Sequence, residues 1–530
     1  MKVRGYHPDQ SLLFGIDPED RIGENDLVRF VSKLIDELDT SKLKATYSEI
    51  GSPSYDPVMM LKIVVYAYIS GIYTCRKIAK AVRENINFIW LANYNTPDFR
   101  TINHFSWTRC RDIISDIFMQ VVLRASEANY LEPNNCFIDA TTMQANAGKY
   151  SYVWKANSDR YQKQVKARID ELFNEIEKQN TEENDCYTDK DLRERGLEAN
   201  FDVSKSNSEE IKEELTKQEK KLNFALNKLN SKPTVDKDTQ KALLREIRKI
   251  GRTMRNEIPK LQNYEKQLET MGDRRRSYSK TDNDATFMRM KDDRLLPGYK
   301  LAISTSEQFV TAIHLYNTSN ESTEYSTLMS EYYGIFGEYP SMVIGDAAYG
   351  TALNFHYSSQ VGIMTVLKSR DYKIDYREST FPDLIYDENR DVYICEEGKE
   401  FLHTKTEVET RFGPERTLRK YVCLDCQYCP KARKCIIRRD KNRRFITFDP
   451  HITPLRKQNY ENLKSEEGRY LSRRRCIEPE SVFGNIKWNK KFTRFTVRSI
   501  SKCKAQITLL VIGHNIVKMF NKSQSLATST

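Results

Sequence analysis

Three acidic residues, far apart in the sequence, stand where strands and a helix could bring them together. Asp139 ends the apolar run 136–138, Asp346 follows the apolar run 342–345, and Glu480 opens a segment with helical spacing of apolar residues. Three carboxylates in one cleft repel each other unless cations neutralise them, and oxygen ligands suit Mg²⁺ or Mn²⁺. Two such ions about 3.5–4 Å apart can activate an attacking hydroxyl and stabilise a leaving oxygen. This pattern predicts metal-dependent phosphoryl transfer on nucleic acid.

A second candidate metal site consists of cysteines. Cys423, Cys426, Cys429 and Cys435 lie close together in the sequence, and Cys395 lies upstream. Zinc sites favour four thiolates with short gaps, because soft ligands select Zn²⁺ over Mg²⁺. We expect a structural Zn²⁺ bound by Cys426, Cys429, Cys435 and either Cys395 or Cys423, and the local spacing favours Cys423. The alternative interpretation is a set of free structural thiols.

Basic residues surround both candidate sites in a chain of net charge +11. Those near Glu480 alternate with Trp488, Phe492 and Phe495. Positive charge and aromatic rings beside a carboxylate cleft suit a phosphate backbone and unstacked bases. The alternative is a solvated basic surface. The residues expected to contact DNA are Arg475, Lys487, Lys490, Lys491, Arg494 and Arg498.

The elements that position these residues change in type along the chain. Residues 25–125 show helical spacing, including a helix after Thr74 with one basic face and a long helix from Thr101 to about Glu127. Short helices with tight turns and a basic face are typical of a helix-turn-helix-like DNA reader. An ordinary helical bundle with a solvated basic face would show the same pattern.

The rest of the chain alternates between strand and helix patterns. Residues 299–306 and 309–316 predict a hairpin, 363–367 a further strand, and 500–520 an amphipathic helix. Between the first strand and the hairpin, apolar residues recur every three or four positions in a charged stretch, which is coiled-coil-like. Pro259 should end or kink one of these helices. The fold class predicted is mixed α/β.

Several stretches together resemble bacterial insertion-sequence DDE transposases. Residues 136–142, 343–350 and 480–487 are similar to the three acidic motifs of these enzymes. Residues 277–288 and 97–103 resemble segments of one branch, the insertion-sequence "eleven eighty-two" group of the IS4/IS5-like superfamily. The resemblance runs from about residue 5 to residue 515, with the motifs in the order that the family has.

The resemblance implies a site and a fold. It implies an RNase H-like core in which Asp139, Asp346 and Glu480 bind the metal ions and Lys487 contacts a phosphate near the cleaved end. Glu478 is a rival third ligand, but the distance to Phe483-Gly484 favours Glu480. Cys476 and Arg473 stand where relatives have an arginine and a tyrosine, so Arg475 or Arg474 would take the arginine's place. For the zinc site, the resemblance favours Cys395 over Cys423.

The domain organisation expected from motifs and composition has five parts. They are a helical DNA-binding domain at 1–130, first parts of the RNase H-like core at 131–158 and 277–372, a helical coiled-coil-like insertion at 159–276, a Cys-rich β-leaning zinc-binding insertion at 373–465, and C-terminal helices of the core at 466–530.

The function predicted is that of a transposase acting on double-stranded DNA. It would cut at the terminal inverted repeats of its element and join the freed ends to target DNA, as a homodimer. A catalytically inactive, DNA-binding descendant and a metal-dependent nuclease on the same core are the alternatives. No stretch has the roughly 20 apolar residues that a membrane-spanning helix needs, and no signal peptide is evident. We therefore expect a cytoplasmic, nucleoid-associated bacterial protein with reduced cysteines.

Overall fold

The structure is a computed structural model that divides into two compact units. It describes residues 17–48, 54–186, 201–231, 237–369, 384–387, 389–409, 416–426, 429–430, 444–449 and 451–529. The first unit comprises Met1–Asn146, Met290–Asp292 and Gly298–Thr530, and the second comprises Ala147–Arg289 and Asp293–Pro297.

Helices and strands alternate along the chain. The helices are α1 Leu27–Asp36, α2 Ser41–Lys44, α3 Pro57–Ile69, α4 Cys75–Glu84, α5 Ile86–Leu91, α6 Phe99–His104, α7 Ile114–Glu127, α8 Lys155–Cys186, α9 Ser208–Asn230, α10 Lys237–Asn256, α11 Ile258–Met271, α12 Tyr325–Phe336, α13 Ala352–Gln360, α14 Ile452–Lys464, α15 Glu466–Arg474, α16 Glu478–Gly484 and α17 Ile500–Ser529. The strands are β1 Asn135–Gln144, β2 Tyr152–Trp154, β3 Ser277–Ser279, β4 Thr286–Arg289, β5 Leu295–Ser306, β6 Phe309–Tyr316, β7 Met342–Gly350, β8 Met364–Ser369, β9 Ile385–Asp387, β10 Val392–Ile394, β11 Glu400–Glu409, β12 Arg416–Cys423 and β13 Arg444–Phe448.

The N-terminal helices begin at side-chain caps. Asp26, Asp56, Thr74 and Asp98 each accept a hydrogen bond from a backbone N–H in the first turn of α1, α3, α4 and α6. Such caps satisfy donors that have no partner inside the helix. The apolar side of each helix is buried, as the helical spacing predicted for this segment.

The single long helix predicted from Thr101 to about Glu127 is wrong. Helix α6 is followed by a π-helical turn, Phe105–Arg109, and α7 begins only at Ile114. The N–H of Cys110 donates to the carbonyl oxygen of Phe105, five residues back. This wider turn shifts the angular positions of the following side chains, so two shorter segments replace one continuous helix.

A mixed sheet forms the centre of the first unit, with strands in the order β6-β5-β1-β7-β8. Strand β1 is antiparallel to β5 and parallel to β7, and β7 is parallel to β8. The predicted hairpin is confirmed, since β5 pairs with β6 and Glu307 and Gln308, both at positive φ, form the two-residue turn. The mixed α/β fold class is confirmed as well.

Helices cover the two faces of this sheet. On one face Ile138 and Tyr316 pack with Tyr325 and Leu328 of α12. On the other face Phe137 and Ile344 pack with residues of α14 and α15. Alternate residues of a strand point to opposite faces, so Asp139 continues the face of Phe137. A separate sheet in this unit has the order β13-β12-β11-β10-β9.

The second unit consists mainly of α8, α9, α10 and α11. Apolar residues of the coiled-coil-like pattern are buried together, among them Val165, Ile169, Leu215, Leu222 and Ile250. Helix α10 ends at Asn256 and α11 begins at Ile258, with Pro259 in its first turn, as the sequence predicted. Strands β2 and β3 pair next to the two ends of this helical segment. In the described parts of both units, no helix has the length and apolar character that a membrane span requires.

Candidate active site

Two neighbouring strands carry the aspartates of the first two acidic motifs. In the parallel pair of β1 and β7, Phe137 lies opposite Ile344. Continuing this register by two residues puts Asp139 level with Asp346. Gly345 allows the close approach, because a Cβ there would lie 2.8 Å from Leu367 Cδ2 and 3.0 Å from Ile138 Cγ1. Asp139 and Asp346 thus each lie two residues beyond the last paired position of two adjacent parallel strands, close enough for the charge of Asp346 to act on Asp139.

The two carboxylates influence each other electrostatically. The pKa of Asp139 is raised to about 6, chiefly by burial and also by the charge of Asp346. The N–H of Ala140 donates to Asp139 Oδ1 over 2.8 Å, and this bond and the guanidinium of Arg475 act in the opposite direction. Burial and a neighbouring negative charge both disfavour the ionised form of a carboxylate. Bound cations would relieve this repulsion.

Two basic side chains lie close to Asp139. Lys487 Nζ donates to Thr141 Oγ1 and, over 2.9 Å, to the carbonyl oxygen of Thr142. Burial lowers the pKa of Lys487 to about 8, and the charge of Asp139 partly offsets this. Arg475 has a buried Nε that makes no hydrogen bond in the described residues. Both are placed to contact an anion at the aspartates.

The two glutamates of the third motif differ in their surroundings. Glu478 is buried, where Arg474 Nη2 lies 2.5 Å from Oε1 and the N–H of Gln308 donates to Oε2 over 2.6 Å. Glu480, which is exposed, belongs to the same helix α16, which packs against β1. Residues two positions apart in a helix, such as Glu478 and Glu480, lie about 200° apart around its axis. Because Glu478 points towards Arg474 and Gln308, Glu480 points in a different direction.

No complete metal site is assembled in the described ranges. There, no group of three His, Cys, Asp or Glu side chains could hold a metal ion. The structure thus brings Asp139 and Asp346 together but does not bring Glu480 to them.

The other basic residues expected to contact DNA lie after α16. Arg494 donates to the carbonyl oxygen of Ala145, and Arg498 to that of Asn146, at the end of β1. Lys490 is partly buried, and burial lowers its pKa to about 8. Lys491 is exposed. Arg494 and Arg498 thus hold the end of β1 while remaining open to solvent.

Three of the five candidate zinc ligands lie near each other. Cys423 and Cys426 are buried in one cluster, and Cys395 packs against it. Burial raises the pKa of Cys423 to about 12, and the neighbouring Cys426 and Cys395 raise it too. Cys429 is half-buried, and its N–H donates to the carbonyl oxygen of Cys426. Cys435 lies outside the described residues. Cys423 is thus next to Cys426, and Cys395 packs against the cluster that contains both, but the described cysteines do not form a complete metal site.

Several residues near the aspartates were missed by the sequence analysis. Glu321 forms an ion pair with Lys300, and its charge raises the pKa of Asp139. Tyr316 and Tyr349 have buried hydroxyl groups without a hydrogen-bond partner in the part of the chain that is described. Burial raises both tyrosine pKa values, and so do the charges of Glu321 and Asp139. Glu321 and Tyr316 belong to none of the sequence motifs, and Tyr349 lies within the second acidic motif, where its sequence position does not show that its hydroxyl group is buried.

Two segments match models of known protein families. Residues 394–520 match a model described as "Transposase DDE domain", and residues 16–106 match one described as "Transposase domain (DUF772)". No curated protein matches the chain, and no solved structure matches it. The first match includes Glu480, Lys487 and the five candidate zinc ligands, whereas Asp139 and Asp346 precede it.

These matches give a coarse identity. A DDE domain implies an RNase H-like core, cleavage of nucleic acid and, in general, divalent metal ions, and transposases act on DNA. One match covers the N-terminal helices, and the other covers the third acidic motif with the surrounding basic residues. Together the two matches support an insertion-sequence transposase.

Proposed function

We propose that this protein is a DNA transposase of the "eleven eighty-two" group in the IS4/IS5-like superfamily. It would cut DNA at the ends of its element and join the freed 3′ ends to target DNA, with Mg²⁺ or Mn²⁺ bound by Asp139, Asp346 and Glu480. The observation that carries this proposal is the pair of aspartates just beyond the paired segments of two adjacent parallel strands, with the raised pKa of Asp139.

The donor set suits hard divalent cations. The carboxylates of Asp139 and Asp346 offer oxygen ligands, which Mg²⁺ prefers, and their repulsion favours binding of positive charge. Two bound ions would activate the attacking water or 3′-hydroxyl and stabilise the leaving oxygen. Glu480 would complete the set by approaching the aspartates when metal and DNA bind. Glu478 is the poorer candidate, because its carboxylate already accepts from Arg474 and Gln308.

The basic side chains would hold the DNA strand. Lys487 Nζ can exchange its contacts with Thr141 and Thr142 for a phosphate next to the cleaved bond. The Nε of Arg475, which has no hydrogen-bond partner in the described residues, supports a similar role near Asp139. Guanidinium and ammonium groups contact phosphate oxygens and so set the position of the strand. Lys490, Lys491, Arg494 and Arg498 would extend this contact along the DNA.

We further propose a structural Zn²⁺ bound by Cys426, Cys429, Cys435 and one of Cys395 and Cys423. The proximity of Cys395, Cys423 and Cys426 supports it, since neighbouring thiolates repel without a cation. The N-terminal helices, 1–130, would recognise the terminal repeats. The helical segment 159–276 would be an insertion into the core formed by 131–158, 277–372 and 466–530, with 373–465 as the zinc-binding insertion. The active form would be a homodimer with two DNA ends.

The proposal is tested with purified protein, Mg²⁺ and the DNA that flanks its gene. We expect cleavage at the element ends followed by joining to a target plasmid, and loss of both in Asp139→Asn and Asp346→Asn. Asp20→Asn, at an exposed position of the same unit, is the matched control. Cleavage without joining would instead favour the nuclease, and binding alone the inactive descendant. If Asp139→Asn still cut DNA, the assignment of the site would be wrong.

A further inference from the structure

A cleft of about 600 Å³ opens in the first unit between α4, α6 and the segment Thr496–Val497, which lies between Arg494 and Arg498. Its walls include Tyr73, Arg76, Phe99, Arg100, Trp107 and Thr496. This volume is in the range of ligand-binding sites in proteins. Except for Trp107, these residues belong to the two segments that match transposase models, and none of them is one of the candidate metal ligands.

The chemistry of the cleft is aromatic and cationic. Phe99 is 36% exposed, and the guanidinium carbons of Arg76 and Arg100 lie 5.1 Å and 5.8 Å from its ring centroid. In the described parts of the chain, neither arginine forms an ion pair with a carboxylate. Two guanidinium groups beside an accessible ring combine the contacts that a phosphate and a planar base require.

The cleft is connected to the strand that carries Asp139. The N–H of Phe495 donates to the carbonyl oxygen of Gln144 over 2.9 Å, and Asn146 Nδ2 donates to that of Thr496 over 3.0 Å. The wall at Thr496 is therefore held by the end of β1. Gln144 lies about 17 Å along this strand from Asp139.

We infer that this cleft holds one unstacked nucleotide of the DNA strand that reaches Asp139 and Asp346. The base lies against Phe99, and the phosphate lies between Arg76 and Arg100. This inference rests on the proposed function, because it requires DNA at the aspartates. It adds a binding site with its own ligand, an unpaired nucleotide away from the cleaved bond.

Photocrosslinking tests the position of the nucleotide. The probe is the DNA that flanks the gene, with 5-iododeoxyuridine at one position of the strand at a time and Ca²⁺ in place of Mg²⁺ to prevent cutting. Iodouracil crosslinks to aromatic side chains in contact with it. We expect a crosslink to Phe99 or Trp107 from one position only. Crosslinks confined to other parts of the chain would overturn the inference.

Affinity measurements test the two kinds of contact separately. We expect Phe99→Ala to weaken binding of the probe about 5- to 140-fold and Phe99→Trp to restore it, since the ring supplies the stacking surface. Arg76→Ala should reduce the slope of log affinity against log salt by about 0.7, the value for one phosphate on a single strand. Tyr94→Ala and Lys42→Ala, an exposed ring and an exposed cation paired with Asp116, are the controls.

The outcomes separate the cleft from the proposed function. Wild-type binding together with unchanged affinity in Phe99→Ala and Arg76→Ala would overturn the cleft and leave the transposase proposal intact. An effect of Tyr94→Ala equal to that of Phe99→Ala would also overturn it. Failure of the wild-type protein to bind or cut the flanking DNA would instead reject the proposed function, and the inference with it.

Discussion

Asp139→Asn should stabilise the protein in the absence of metal ions. Burial and the charge of Asp346 raise the pKa of Asp139 to about 6, whereas a free aspartate has a pKa of about 3.9. The difference of about two units corresponds to a cost on the order of 3 kcal/mol for the ionised form in the folded protein. Asparagine has nearly the same shape and carries no charge, and its oxygen can still accept from the N–H of Ala140.

The stability gained by Asp139→Asn should depend on pH. Because the pKa of Asp139 is higher in the folded than in the unfolded protein, folding takes up a proton between about pH 4 and pH 6. The cost of the carboxylate is absent below about pH 4, grows through this window and is constant above about pH 6. The stability difference between Asp139→Asn and wild type should follow the same course.

Urea unfolding of wild type, Asp139→Asn and Asp20→Asn measures this difference. In a chelator at neutral pH we expect the Asp139 variant to unfold at higher urea than wild type, with Asp20→Asn reporting the effect of removing an exposed charge. Added Mg²⁺ should stabilise wild type by mass action and leave Asp139→Asn unchanged. The reasoning is refuted if Asp139→Asn is the less stable protein in chelator, or if its advantage does not change between about pH 4 and pH 6.

Three further predictions concern other side chains of the two sites. Glu478→Gln should lower the free energy of unfolding in urea by about 2 kcal/mol, because it removes the charge of a buried carboxylate that pairs with Arg474 and leaves this partly exposed guanidinium only Glu307. Glu480→Gln, at an exposed position, should leave stability unchanged and abolish DNA cleavage. Lys487→Met should reduce the cleavage rate, and in wild type the rate should fall as pH rises through about 8, where Lys487 loses its charge. Cys423→Ser should lower the zinc content measured by atomic absorption, whereas Cys110→Ser, buried in the N-terminal helices, should not; equal zinc in both variants would favour Cys395 as the ligand.

The sequence alone predicted the local structure around the first two motifs. The apolar runs before Asp139 and Asp346 predicted strands, and the two runs at 299–316 predicted a hairpin, as the structure has them. The helical spacing in the second unit predicted which side chains are buried there. These features depend on residues close together in the chain, so alternation and turn propensity suffice to predict them.

Sequence patterns did not predict where a helix changes from α-helical to π-helical hydrogen bonding, because the apolar spacing shows no break there. The segment from Thr101 to Glu127 has continuous helical spacing, yet a π-turn interrupts it at Phe105–Arg109. The extra residue in that turn depends on how Trp107 and Phe105 pack into the N-terminal helices, where both are buried. Such packing involves residues far away in the sequence, which periodicity does not record.

The residue types and spacing by themselves predicted strand-end carboxylates on a mixed α/β fold, whereas the choice of Glu480 as third ligand came from the resemblance to the transposase motif. Only the tertiary structure decided what surrounds those carboxylates. It brings Glu321 and Lys300 near Asp139, and it occupies Glu478 with Arg474. The physical reason is that charges interact through space, so the pKa of Asp139 depends on neighbours that strand pairing and helix packing bring together from distant parts of the chain.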